Sequence, residues 1–132
     1  MIGPAKRLPD TNTILRYLLK DELHLYEKAR RLFEKVRVGD EKVIILESVL
    51  VECVYVLTKF YKVPKKEASA KLKELLHYKG IANDDRDAII EALTIFSNKS
   101  LDIVDCILCA KARIYSMTLF TFDERLIEEY ES

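Results

Sequence analysis

Four carboxylates occupy positions from which they could act together on a metal ion. Asp10 precedes "TNTILRYLLK", Glu52 lies inside "VLVECVYVL", Asp105 lies inside "DIVDCILCA", and Asp123 follows directly on "MTLFTF". Carboxylate oxygens suit hard divalent cations such as Mg²⁺ and Mn²⁺, which keep several bound waters. Such ions neutralise phosphate oxygens and generate a hydroxide nucleophile. The four acids therefore predict a metal site for phosphodiester cleavage.

Each acid also has a purely structural interpretation. Asp10, Asp102 and Asp123 stand where helical patterns begin, and Asp is a preferred N-cap residue. Glu52 and Asp105 fit this interpretation less well, because caps do not lie inside apolar helices and an unpaired buried carboxylate is costly. Asp102 lies three residues before Asp105 and hence on the same helix face. Caps thus remain the alternative for three of these acids.

Strand patterns alternate with helical patterns along the chain. "KVIIL" (42–46) and "MTLFTF" (117–122) predict strands, and "IAN" (81–83) predicts a weaker one. Ser48 is the predicted N-cap of the long helix that follows residues 42–46. The alternation predicts an α/β fold with right-handed crossovers around a parallel sheet. Ligands bind at the carboxyl ends of the strands in such sheets.

Composition restricts the class of protein but does not identify its function. The 132 residues suit one domain, and 22 Lys and Arg balance 22 Asp and Glu. A polyanionic partner must therefore bind to a local patch of positive charge. The basic stretch 59–73 is expected to be a solvated helix face. No apolar run approaches the roughly 18 residues of a membrane span. Three cysteines without a secretory leader predict reduced thiols in the cytoplasm.

Four motifs follow one another across nearly the whole chain: "LPDTNTILRYLL", "SVLVECVYVL", "LDIVDCILCAKA" and "LFTFDERL". Together, and in this order, they resemble the PIN-domain ribonucleases of the VapC toxin type. The resemblance implies a single PIN-like domain over 1–132. Its fold would be a three-layer α/β/α arrangement around a central parallel sheet of four or five short strands. "GPAKRLP" departs from the family's apolar first strand, so we expect that strand, before Asp10, to be short or distorted.

The resemblance also implies roles for particular residues. The family's metal-binding, catalytic acids match Asp10, Glu52, Asp105 and Asp123. Asn12 and Thr121 match polar positions that support these acids by hydrogen bonds. Asp102 falls where the family has an acid or a small polar residue, so it too is expected to support them. From its spacing alone, Arg16 lies one turn after Asn12 and is expected to contact the substrate phosphate.

The activity implied by the resemblance is that of an Mg²⁺- or Mn²⁺-dependent endoribonuclease. Metal-activated water would attack phosphorus in line and leave a 5′-phosphate and a 3′-hydroxyl. Such toxins pair with a small antitoxin protein that blocks the site, and they commonly form homodimers. The resemblance thus implies an RNA substrate and an antitoxin partner, while the lack of a long apolar run predicts no membrane association.

Two other functions compete with this prediction. A haloacid-dehalogenase-like phosphatase also opens with Asp after its first strand, but it needs a second Asp two residues on, where this chain has Asn12. A PIN-like fold could also serve as a non-catalytic binding or assembly module. Finally, "CILC" (106–109) has the C-x-x-C spacing of redox and metal sites, although two small buried residues in a helix are the favoured interpretation.

Overall fold

The computed structural model describes residues 5–132. Over this range the protein contains seven α-helices: α1 Thr11–Leu19, α2 Leu23–Val38, α3 Glu47–Tyr55, α4 Lys65–Leu76, α5 Arg86–Asn98, α6 Ile103–Ile114 and α7 Glu124–Glu131. A π-helical segment, Val56–Phe60, continues α3. No helix in this part of the chain is long and apolar enough to cross a lipid bilayer.

The predicted helices are confirmed, because their apolar residues recur at helical spacing and face a common core. In α2, for example, Phe33 and Val36 are fully buried. The same helix ends at Gly39, whose φ of 91° is a left-handed conformation that glycine adopts without strain. The prediction that Ser48 caps α3 is wrong, since the N-cap residue is Leu46 and it makes no side-chain capping bond.

The predicted fold class is wrong for residues 5–132. In place of a three-layer α/β/α arrangement with a sheet of four or five strands, extended backbone pairs only at two isolated parallel bridges. Arg7 pairs with Val43, and Val43 pairs with Ile81. The predicted strands 42–46 and 81–83 thus contribute one bridging residue each. Part of the expectation for the first strand falls on residues 1–4, which lie outside the described residues.

Particular side chains explain why the pairing stops so early on both sides of Val43. On one side, the Arg7 N–H donates to the Lys42 carbonyl (3.0 Å) and the Ile44 N–H donates to the Arg7 carbonyl (3.0 Å). The next donor of this parallel ladder would be residue 9, and Pro9 has no N–H. The first pairing therefore ends after one bridge.

Asn83 ends the pairing on the other side. Its side-chain oxygen accepts from the Ile45 N–H (2.9 Å), and its amide nitrogen donates to the Ile45 carbonyl (2.7 Å). The amide group thus replaces the backbone of a neighbouring strand. A further bond from the same nitrogen to Asp85 Oδ1 (3.0 Å) holds the side chain in place.

Residues 117–122, the clearest strand prediction, form no bridge to any described residue. Strand preference reports how a side chain fits a pleated, half-buried surface, and among the apolar residues of this segment only Leu119 packs partly against the core. Phe120 and Phe122 are 85% and 90% exposed. The segment is instead a non-helical connection between α6 and α7 that leaves two aromatic rings in solvent.

The cysteine pair of "CILC" belongs to the core. Cys106 and Cys109 are both fully buried free thiols on α6, which packs most extensively against α5. Burial raises the pKa of the Cys106 thiol to about 12, so the thiol stays protonated at neutral pH. This position confirms the interpretation of "CILC" as core packing.

We predict that Asn83→Leu lowers the free energy of unfolding by about 2–4 kcal/mol, because it leaves both polar groups of Ile45 without their partner. Asn83→Asp should cost less, since a carboxylate still accepts from the Ile45 N–H. Asn98→Leu, at the exposed end of α5, is the matched control and should change stability by less than about 0.5 kcal/mol. Urea unfolding followed by circular dichroism measures all three. Equal stability of Asn83→Leu and Asn98→Leu would show that the hydrogen bonds between the Asn83 side chain and Ile45 do not stabilise the fold.

Candidate functional site

Asp10 is the N-cap of α1, as its structural interpretation predicts. Its Oδ1 accepts hydrogen bonds from the Thr13 N–H (2.9 Å) and the Thr13 hydroxyl (2.7 Å). These bonds to Thr13, the backbone one first, lower the pKa of the Asp10 carboxyl and favour the charged form. Within residues 5–132, Oδ2 accepts no hydrogen bond. A cap that uses one oxygen leaves the other available, so capping and metal binding are compatible here.

Asp123 repeats this arrangement at the start of α7. Its Oδ1 accepts from the backbone N–H groups of Arg125 (2.9 Å) and Leu126 (3.4 Å). The Thr121 hydroxyl oxygen accepts from the Asp123 N–H at 3.1 Å. Thr121 therefore holds the backbone of Asp123, whose carboxylate remains exposed.

Asp105 is half-buried in the first turn of α6 and lies within the electrostatic field of two other acids. Burial raises the pKa of the Asp105 carboxyl, the charges of Asp102 and Asp123 raise it further, and Arg125 opposes them. Asp102 is the N-cap of α6, although its side chain makes no capping bond. The structure thus gathers three of the predicted acids, with Arg125 beside them.

Glu52 is exposed, contrary to the expectation that it would be buried in an apolar helix. Residues Leu50, Cys53 and Val54 form the buried side of α3, and Glu52 falls on the opposite side. Burial first, and then the charges of Glu52 and Asp10, raise the pKa of the Cys53 thiol to about 12, so both acids act on this thiol. Asp10 and Glu52 thus form a second group of acids.

The two groups of acids do not form one complete coordination sphere. Among residues 5–132, no three His, Cys, Asp or Glu side chains lie close enough together to hold a metal ion. Helix α3, which carries Glu52, packs against both α1, which follows Asp10, and α6, which carries Asp105. The donors are carboxylate oxygens, and the neighbouring Cys53 thiol is protonated, so the donor set fits Mg²⁺ or Mn²⁺ rather than zinc.

Within residues 5–132, neither Asn12, expected to support the acids, nor Arg16, expected to contact the substrate phosphate, forms a hydrogen bond with one of the four predicted metal ligands. Asn12 is exposed in the first turn of α1 and makes no side-chain hydrogen bond within the described part of the chain. The Arg16 guanidinium pairs with Asp21 (3.0 Å) and donates to the Tyr61 hydroxyl (3.0 Å). Only 12% of the Arg16 side chain is exposed. Contact with a substrate phosphate would require Arg16 to leave these partners.

A cavity of about 460 Å³ opens beside the first turn of α6; we call it the α6 cavity. Asp102 and Asp105 line it together with three cations: Lys59, Lys65 and Arg125. From sequence, Lys59 and Lys65 are expected on a solvated helix face, and no role is predicted for Arg125. Two features of the sequence indicate that these cations could lie near the acids. Lys59 follows Glu52 by seven residues in the same helical stretch, and Arg125 follows Asp123 by two residues.

Comparison with known proteins identifies the family. The PIN domain family model matches residues 7–131. The chain belongs to the PIN domain family. A VapC ribonuclease of Aquifex aeolicus (strain VF5) is 26% identical to this PIN domain over 107 residues, covering 81% of the chain and 78% of the relative. No solved structure gives a significant match. The resemblance to the VapC type seen in the four sequence motifs is confirmed.

We predict that, in EDTA at pH 7, Asp105→Asn melts at the same temperature as the parent PIN domain or up to a few degrees higher. The raised pKa of Asp105 means that the folded protein holds this proton to higher pH than the unfolded chain. Ionisation of Asp105 therefore costs stability as pH rises above its ordinary value near 3.8.

The difference between Asp105→Asn and the parent should vanish near pH 3, where both side chains are uncharged. Asp40→Asn, at an exposed position between α2 and α3, is the control and should show no such pH dependence. Thermal melts at both pH values measure this. A lower melting temperature for Asp105→Asn at pH 7 would show that the carboxylate makes a stabilising contact.

Proposed function

We propose that this PIN domain is a metal-dependent endoribonuclease whose Mg²⁺ or Mn²⁺ is held by Asp10, Glu52, Asp105 and Asp123. The observation that carries the proposal is the crowding of like charges around Asp105, in a chain whose relative is a VapC ribonuclease. Carboxylates that raise one another's pKa are typical of functional sites. A bound cation would relieve their mutual repulsion.

The chain's own residues prepare the site before any ion binds. Helix starts fix one oxygen each of Asp10 and Asp123, and the second oxygen accepts no hydrogen bond from residues 5–132. Thr121 holds the backbone at Asp123, and Asp102 adds negative charge beside Asp105. When bound, the metal ion neutralises phosphate oxygens and activates water. We retain Asn12 and Arg16 as candidates for contact with RNA, with Arg16 acting only after it leaves Asp21.

The proposed reaction is attack of water on phosphorus, in line with the 3′ oxygen. The bond between phosphorus and the 3′ oxygen breaks, and the 3′ oxygen leaves with a proton. The products are therefore a 5′-phosphate and a 3′-hydroxyl. Cleavage by the neighbouring 2′-hydroxyl would instead give a 2′,3′-cyclic phosphate, so the end chemistry distinguishes the two routes.

We further propose that the protein is the toxin of a toxin–antitoxin pair and forms a homodimer in the cytoplasm. Three buried free cysteines suit a reducing compartment. Exposed apolar side chains on α6 and the following connection, including Leu108 (47% exposed), Met117 (60%) and Phe120 (85%), suit contact with a protein. The antitoxin and a second copy of the chain are the two partners proposed.

One observation favours a non-catalytic module as the second candidate. The acids form two groups, and within the described range no three of them lie within ligating distance of a common ion. A binding module would leave these groups apart when RNA is bound. It would neither cleave RNA nor gain stability from Mn²⁺.

We predict that the purified protein cleaves single-stranded RNA with Mg²⁺ or Mn²⁺, leaves 5′-phosphate ends, and is inactive in EDTA. Asp10→Asn should lower the cleavage rate by more than about 100-fold, since even partners of metal ligands contribute about 10–100-fold. Asn is as good an N-cap as Asp, so the variant should keep its melting temperature in EDTA.

Asp40→Asn serves as the surface control for activity and should cleave like the parent. Gel analysis of end-labelled RNA measures rate and end chemistry together. Cleavage that survives in both EDTA and Asp10→Asn, or cyclic phosphate products, would refute the metal mechanism.

We also predict that excess Mn²⁺ reverses the order of melting temperatures between the parent and Asp105→Asn. The parent gains about 2.7 kcal/mol at one hundred times Kd, because the ion binds only the folded state, and the variant gains less. Thermal melts with Mn²⁺ and with EDTA make the comparison without any activity assay. An equal gain for both proteins would remove Asp105 from the set of metal ligands.

A further inference from the structure

We propose that the α6 cavity is a nucleotide subsite that receives one unstacked nucleotide of the RNA beside the bond that is cut. In this proposal the Tyr55 ring stacks on the base and Lys59 contacts a phosphate. The inference rests on the proposed ribonuclease function and adds to it a place where the substrate is held.

The size and position of the α6 cavity suit a nucleotide. Its volume of about 460 Å³ lies within the roughly 300–1,000 Å³ of small-molecule sites. Asp105, a proposed metal ligand, forms part of one wall, and Tyr55 and Lys59 form part of another. A strand that reaches the acids can thus place its adjoining nucleotide in the cavity.

Two of the three cations are already fixed by the backbone. Lys65 Nζ donates to the carbonyls of Lys99 (3.1 Å) and Leu101 (3.3 Å) and lies 4.3 Å from the centre of the Phe96 ring. The Arg125 guanidinium donates to the Ser100 carbonyl (3.4 Å). Three successive carbonyls before α6 therefore accept bonds from cations. Lys65 and Arg125 hold the backbone of residues 99–101 in place and add positive charge to this side of the α6 cavity.

Lys59 differs from these two cations because it is exposed and forms no ion pair or hydrogen bond with any residue from 5 to 132. Its ammonium can bind an anion without losing a partner. The cavity carries three cations against the two carboxylates Asp102 and Asp105. The lining therefore carries an excess of one positive charge, which is the sign that attracts a polyanion.

Tyr55 supplies the group that recognises a base. Its side chain lies at the end of α3 between Glu52 and Lys59, and 37% of the residue is exposed. Single-stranded RNA is commonly bound through bases stacked on aromatic side chains, with cations tracking the phosphates. A carboxylate, an aromatic ring and an ammonium thus follow one another along one exposed side of the helix.

The test uses the absence of tryptophan from the chain. Tyr55→Trp introduces a single fluorophore at the α6 cavity, and Tyr115→Trp introduces one at a residue of similar exposure (42%) outside it. Adenosine 5′-monophosphate is titrated into each protein in EDTA. We expect saturable quenching of Tyr55→Trp and no saturable quenching of Tyr115→Trp.

Removal of one cation tests the phosphate contact. In the Tyr55→Trp protein, Lys59→Gln should weaken nucleotide binding about 10-fold through the loss of one charge-assisted contact. Lys66→Gln changes the charge equally at an exposed position outside the cavity and should change binding less than about 2-fold. With Tyr55 intact, Lys59→Gln should also weaken binding of a fluorescent polyadenylate to Asp10→Asn, as measured by anisotropy.

The outcomes separate this inference from the proposed function. Absence of RNA cleavage by the parent would overturn the ribonuclease assignment, whereas the titrations report on the cavity whether or not cleavage occurs. Equal quenching of the two tryptophan proteins, or equal effects of Lys59→Gln and Lys66→Gln, would overturn the subsite. Quenching by an acidic peptide but not by the nucleotide would also overturn it and would assign the cavity to a protein partner.

Discussion

Mutual repulsion among carboxylates is the constraint on which the rest of the site depends. Asp105 lies half-buried in the field of Asp102 and Asp123, and the charges of both neighbours raise its pKa. Hydrogen bonds from helix N-termini hold two of the acids of the site in place. Asp123 is held by the N–H groups of α7, and Asp10 is held in the same way by α1. Backbone N–H groups therefore hold carboxylates at the site, and in a more mobile chain these carboxylates would move apart.

The helices could be predicted from sequence, whereas the sheet could not. Helical periodicity is local, and residues such as Phe33 and Val36 display it within two turns. Strand pairing depends on residues far apart in the chain, and single side chains can end it. Pro9 lacks the donor that would extend the first pairing, and the Asn83 amide takes the place of a neighbouring strand. Residues 117–122 have the composition of a strand but form no bridge with any described residue.

The acids of the site could be found from sequence, but their surroundings could not. Asp10 and Asp123 can be identified as candidate ligands because each stands at the start of a helical pattern, and Asp123 also follows an apolar strand pattern. Glu52 was expected to be buried, because a nearly continuous apolar run hides which side of α3 faces the core. The α6 cavity is lined by residues of α3, its π-helical continuation, α4, α5, α6 and α7, so no single stretch of sequence identifies Lys59 or Arg125 as its lining.

The π-helical segment Val56–Phe60 has a consequence for how such a site can vary. The Tyr61 N–H donates to the Val56 carbonyl five residues earlier, and the Thr58 hydroxyl donates to the Val54 carbonyl. A wide turn of this kind holds one residue more than a regular helical turn. Loss of that residue would restore a regular helical turn and leave the chain beyond it in nearly the same place. Thr58 and Lys59 lie within the wide turn and line the α6 cavity. A change of one codon in length at this turn thus alters the lining of the cavity while leaving every acid in place.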